Sequence, residues 1–303
     1  MFSVSSVVKI SLFLAQIHMI KQLTIFGVGL IGGSLALALK KAGYCETIVG
    51  CSRNADHLQR AVDLGVIDRF TLDPKEAVKD ADMILLAVPL RAIKPVLETF
   101  VDHIEDDAVI TDAGSAKGSV VKAVKEAFAE RSSDNFVPAH PIAGREKSSV
   151  EAAIDNLYND QKVVLTPLKT TKSDAIKRVK EMWQTAGATV EILDVKQHDD
   201  VLAATSHLPH VLAYSLVNTL SKSQYGDAIF DYAAGGFKSF SRIASSDPIM
   251  WRDICLENKD AILAALNDYQ QDLSDLSELI SKEEGGELEK LFEHSKRTRD
   301  NSV

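Results

Sequence analysis

The apolar positions of this chain change their period once, and that change divides it. From residue 23 to about residue 193 they come in short continuous runs, at 23–26, 47–51, 82–88, 108–111, 136–139, 162–165 and 189–193. Runs rich in Val, Ile and Leu, bounded by Gly, Pro and polar residues, predict strands buried on both faces, the habit of parallel sheets. Stretches of helical spacing follow at 34–41, 55–64 and 174–186, and Gly65 closes the second. Strands alternating with helices predict an α/β Rossmann-type doubly wound sheet.

Beyond Asp194 no strand-like alternation remains. Residues 195–222 are helical in period, with Pro209 as an expected kink. Residues 248–281 repeat Ile249, Ile254, Leu256, Ile262, Leu266, Leu273, Leu276, Leu279 and Ile280 in an amphipathic helix pattern. The second part is therefore expected to be an all-α dimerisation domain that buries its stripes against another copy. The expected division is a loose extension at 1–20, a dinucleotide-binding domain at 21–194, a helical substrate and dimerisation domain at 195–296, and a tail at 297–303.

Length and composition agree with two soluble domains. The chain has 303 residues, 46% of them hydrophobic and 25% charged. A net charge of −9 argues against a nucleic-acid partner, because no basic face is evident to neutralise phosphates. Cys45, Cys51 and Cys255 show no C-x-x-C spacing and read as reduced thiols of a cytoplasmic protein. The apolar stretch at 10–20 is too short to span a bilayer, and it lacks the charge and cleavage site of a signal peptide. It reads as an over-called start or a loose extension, with Met19 close to where such a fold would begin, and no membrane role is expected.

The first strand feeds Gly27-x-Gly29-x-x-Gly32, and a helix follows at once. In that context Gly27 permits a tight turn, Gly29 lets backbone approach a pyrophosphate, and Gly32 allows close helix–strand packing. Free N–H groups and the positive end of the helix dipole then face the phosphates. Val28, Leu30 and Ile31 complete this cofactor cradle, with Val88 and Pro89 at the end of a neighbouring strand. The second strand ends Val49-Gly50-Cys51-Ser52-Arg53-Asn54, without the acid that usually accepts hydrogen bonds from an NAD ribose. Ser52 can hydrogen-bond a 2′-phosphate and Arg53 adds a planar cationic fork, so the cofactor reading leans to NADP, with NAD or dual use kept open.

Three further strings carry polar chemistry at loops and helix faces. They are Asp112-Ala-Gly-Ser115-Ala-Lys117-Gly118, His140-Pro-Ile-Ala-Gly144-Arg-Glu146-Lys147, and Ser206-His207-Leu-Pro-His210. A fourth runs from Gly235 through Lys238 and Arg242 to Ser246-Asp247-Pro-Ile-Met-Trp251. Over about residues 21–290 the chain resembles the prephenate dehydrogenase family, whose members include cyclohexadienyl and arogenate dehydrogenases.

The resemblance implies a reaction. Prephenate loses a hydride from ring C4 to NAD(P) and its ring carboxylate as CO₂, giving 4-hydroxyphenylpyruvate; arogenate would give tyrosine. It implies His140 as acceptor of the hydroxyl proton, a task suited to an imidazole with a reference pKa near 6.5. Ser115 is the serine implied to orient that histidine beside the nicotinamide. Arg242 is implied to receive the ring carboxylate, His210 the side-chain end, and Glu146 to pair with Arg242 and gate access. Lys238 and Trp251 are further substrate-side candidates, Asp199 a weaker one, and His207 reads as structural. Lys117 and Lys147 read as mostly solvated. His207 and His210, three residues apart, could suggest a metal, but the reaction needs none and no third ligand is indicated.

Two rival readings stand beside this one. Another Rossmann and helical-dimer dehydrogenase, of the β-hydroxyacid or imine-reductase type, would carry other residues where HPIAG and SHLPH stand. A dinucleotide-sensing module without catalysis would not need His140, Ser115 and Arg242 together. The short flanks leave no room for a fused chorismate mutase or a sensing domain, so tyrosine inhibition is expected at the active site.

Overall fold

A computed structural model describes residues 19–145 and 149–302. The chain forms two compact units: one runs through Asp199 and includes Ser245–Glu257, the other comprises Asp200–Ala244 and Asn258 onward.

The first unit is built on a parallel sheet of six strands in the order β3-β2-β1-β4-β5-β6. These are β1 (Ile20–Phe26), β2 (Cys45–Cys51), β3 (Arg69–Thr71), β4 (Met83–Leu86), β5 (Val109–Asp112) and β6 (Phe136–Val137). Between them run α1 (Leu30–Lys41), α2 (Ala55–Asp63), α3 (Pro74–Val78), α4 (Ile93–Glu98) and α5 (Lys117–Phe128). The period-2 rule places alternate side chains of one strand in different cores. Met83 and Leu85 join the cluster beneath α1, with Leu23, Leu35 and Leu39. Ile84 and Leu86 join the opposite cluster, with Leu97, Phe100 and Val124. Both faces are covered, which is why β4 reads as an unbroken apolar run. The chain order reverses between β1 and β4, the place where such sheets receive ligands beyond their carboxyl ends.

The segment read as one strand at 136–139 is two strands in two sheets. Pro138 has no N–H to donate, so the parallel ladder ends at Val137. The chain resumes as β7 (Ala139–Pro141), which pairs antiparallel with β8 (Lys162–Leu165); β8 pairs parallel with β9 (Thr189–Ile192). Helix α6 (Ser173–Thr185) connects the last two, and α7 (Val195–Leu202) follows. The sheet change sets His140 on a short strand of its own.

The second unit is helical, with α8 (Leu208–Ser221), α9 (Gly226–Asp231), α10 (Gly235–Ser241), α12 (Lys259–Ser281) and α13 (Gly285–Ser302). The helix between them, α11 (Pro248–Glu257), belongs to the first unit, so 195–296 is not one compact body. The long amphipathic stretch breaks at Asn258 into α11 and α12. Instead of a simple kink at Pro209, a π turn at Ala203–His207 precedes α8 and takes up the mismatch. Residues 297–302 are helical as part of α13, not a tail, and β1 already includes Ile20. Among the described residues, no helix is long and apolar enough to cross a membrane.

Candidate active site

The glycine turn has the geometry its spacing predicts. Gly27 sits at φ +93°, and a Cβ there would lie 2.3 Å from the carbonyl oxygen of Ala87. A Cβ on Gly32 would lie 2.4 Å from the carbonyl oxygen of Gly27. Side chains at these positions would fill the cradle or split the turn. Gly29 is the N-cap of α1, with no side-chain cap and no acid in the first turn. The N-terminal amides of α1 are thus left to an anion, and the residues present fit a pyrophosphate.

Neighbouring residues brace this turn. Ala87 donates its N–H to Phe26 across β1 and β4 (2.8 Å), and Val88 packs against Gly27. The hydroxyl of Tyr158 donates to the carbonyl of Ile31 (2.6 Å). His57, on the first turn of α2, places Nε2 2.9 Å from the carbonyl oxygen of Val28. Nothing in the sequence singled out His57, because its role depends on the fold bringing α2 under the turn. Ser52 and exposed Arg53 follow β2, where the hydroxyl of Ser52 and the backbone of Asn54 hold each other.

A second cluster lies at the end of β5. Asp112 and Lys117 are wholly buried and bonded to each other. Asp112 also accepts the N–H groups of Gly114 (2.7 Å) and Ala139 (3.0 Å), and Lys117 Nζ donates to the carbonyl of Ala139 (2.6 Å). The expectation of a solvated Lys117 is corrected: burial pulls its ammonium pKa down while the Asp112 carboxylate pulls it back up. The pair's task is visible in its partners, since it satisfies both backbone groups of the residue before His140.

His140 is itself buried. Its Nδ1 lies 2.9 Å from Nε2 of His198, and Nδ1 of His198 lies 2.8 Å from Asp199. Asp199 accepts the backbone N–H groups of Lys117 and Gly118, each at 2.7 Å. Burial opposes ionisation of this carboxyl, but the His198 hydrogen bond and the two backbone donors outweigh it and hold its pKa below the usual range. His198 was not legible as a site residue: it sits in an ordinary helical stretch, with no motif around it. Ser115 is half-buried in the loop before α5. The hydrogen bond at His140 Nδ1 goes to His198. Trp251 is buried in α11.

The remaining candidates lie in the second unit. His210 donates from Nδ1 to the carbonyl of Ser206 (2.9 Å). Burial lowers its pKa, the Ser206 bond works against that, and the Arg242 charge lowers it further, so neutral imidazole is favoured. Arg242 and Lys238 are exposed, and His207 is buried against Asn258 (3.1 Å). Glu146 and Lys147 lie outside the described residues. Among the described residues, no group of three or more His, Cys, Asp or Glu is placed to hold a metal.

A nucleotide-binding sheet, a glycine cradle and a buried histidine define the class: an oxidoreductase working with a dinucleotide. Comparison with known proteins narrows it. The family model described as prephenate dehydrogenase, nucleotide-binding domain, matches residues 35–192, and the one described as prephenate dehydrogenase, dimerization domain, matches 194–294. A cyclohexadienyl dehydrogenase from Zymomonas mobilis is 36% identical over 285 residues, covering 92% of this chain and 95% of that relative. The prephenate dehydrogenase of A. aeolicus, solved with hydroxyphenyl propionate and NAD+, is 39% identical with a TM-score of 0.87, over 93% of this chain and 98% of that one. The arogenate dehydrogenase of Synechocystis is 28% identical with a TM-score of 0.79, over 93% and 100%. The chain belongs to the prephenate dehydrogenase family and is an NAD(P)-dependent oxidoreductase with a dimerisation domain.

Proposed function

We propose that this protein catalyses the oxidative decarboxylation of prephenate to 4-hydroxyphenylpyruvate in tyrosine biosynthesis. Arogenate is a second substrate, a reading favoured by the likeness to the Synechocystis arogenate dehydrogenase. The observation that carries the proposal is a buried imidazole, His140, in the same unit as an uncapped, glycine-built helix N-terminus.

Bound NAD(P) supplies the acceptor for the hydride that leaves ring C4. His140 takes the proton of the C4 hydroxyl as that carbon moves towards a carbonyl. The bond to the ring carboxylate then breaks, CO₂ leaves, and its electron pair completes the aromatic ring. The proton returns to the phenol oxygen, so no net proton is consumed. Gly27, Val28, Gly29, Leu30, Ile31 and Gly32 hold the pyrophosphate end, with Val88, Pro89 and Ser115 towards the nicotinamide. Arg242 receives the ring carboxylate in bidentate fashion, and neutral His210 the side-chain end. Glu146, Lys238 and Trp251 complete the substrate set.

Ser52 and Arg53 support NADP over NAD, because no carboxylate at the end of β2 repels a 2′-phosphate. The dimerisation domain supports a homodimer. Tyrosine, which shares the ring and side-chain end of these ligands, competes with substrate.

A matrix of prephenate and arogenate against NADP and NAD tests the reading. Reduced cofactor and CO₂ should appear one to one, fastest with prephenate and NADP, and tyrosine should raise KM without lowering kcat. Reduced cofactor without CO₂ would place the chain with the hydroxyacid dehydrogenases.

A further inference from the structure

Two groups beyond the proposed base stand in line with it, His198 buried and Asp199 partly exposed, and they dictate which of its nitrogens is basic. Asp199 is ionised and accepts two backbone N–H bonds; its carboxylate can only accept, so the 2.8 Å contact requires a proton on His198 Nδ1. With its proton on Nδ1, a neutral His198 offers only a lone pair at Nε2. His140 must therefore donate from Nδ1 across the 2.9 Å contact, which puts the lone pair of its ring on Nε2.

We infer that His198 and Asp199 are positioning residues that fix His140 in the Nδ1–H tautomer, so that Nε2 is the atom that receives the substrate's proton. The inference rests on the reading of His140 as the base. Once Nε2 is protonated, the positive imidazole still donates from Nδ1 to His198, and the Asp199 carboxylate stands one ring away. Neither residue touches the reacting atoms; they act through His140, as the carboxylate of a hydrolase triad acts through its histidine. The alternative state, a doubly protonated His198, would donate from Nε2 and move the His140 proton onto Nε2, destroying the base. The anchor is itself fixed: a Cβ on Gly118 would come within 2.9 Å of the Asp199 carboxylate, so only glycine lets that backbone approach so closely.

The test combines a spectrum with a variant pair. In the wild-type enzyme, ¹⁵N NMR of labelled histidines above the titration of His140 should show its proton on Nδ1 (the resonance being assigned by its loss in His140→Asn). A proton on Nε2 overturns the inference, whatever the variants do. His198→Phe should lower kcat by about 10- to 100-fold, less than the roughly 10²- to 10⁴-fold expected for loss of the general base itself. KM for prephenate and Kd for the cofactor should change by less than about threefold, since the remaining binding groups are intact. His198→Gln keeps an amide oxygen within reach of His140 and should recover most of the lost kcat. A kcat equal to wild type in His198→Phe refutes the positioning role while leaving His140 as the base. Full turnover in His140→Asn would instead remove the proposed function's base and is distinguishable from it.

Discussion

His140 shows how far one residue's chemistry is decided by its neighbours. The backbone before it is held by Asp112 and Lys117, and its ring by His198. Of these, the sequence pointed to His140 because it sits in a distinctive string. It missed His198, and it placed Lys117 in solvent, because burial of a lysine is a property of its surroundings rather than of its spacing. Asp199 carries a pH signature. Its folded pKa lies below the unfolded value, so its stabilisation is fully present above about pH 3.9 and is lost as pH falls through the folded pKa. Thermal unfolding of wild type and Asp199→Asn should differ at pH 6, and the gap should close in acid. A gap that stays constant down to pH 3 would show that the carboxylate's charge is not what stabilises the fold.

At the scale of elements, the sequence was most legible where one period ruled. The glycine turn, β4 and the amphipathic helices of the second unit all follow from spacing alone. Besides the break at Asn258, it failed at two transitions. At Pro138 a single β-type run crosses from one sheet to another, because the missing N–H ends a ladder without ending the extended backbone. At Ala203–His207 a π turn absorbs an extra residue within a helical run, which keeps the 3.6-residue pattern too nearly intact to be noticed. Candidate site residues lie at both transitions: β7 holds His140, and the helix that starts directly after the π turn holds His210. Local irregularity and function coincide here, as the departure from regular spacing aims side chains that a straight element would not.

At the scale of the molecule, the two units differ in how they bury apolar surface. The first has cores on both faces of its sheet, whereas the second leaves Leu263, Leu273, Ile280, Leu291 and Phe292 exposed along α12 and α13. Such an array fits a dimer seam. Replacing Leu273 and Ile280 by Asp should shift the protein from dimer to monomer in analytical ultracentrifugation; an unchanged sedimentation coefficient would place the seam elsewhere. The proposed function turns on one imidazole, His140, as base for a reaction whose hydride goes to a dinucleotide on the glycine turn. Its most direct test is the turnover of His140→Asn with prephenate, measured beside cofactor affinity. Affinity within about threefold of wild type with kcat lower by about 10²- to 10⁴-fold is the predicted result. Turnover within a few-fold of wild type would contradict it.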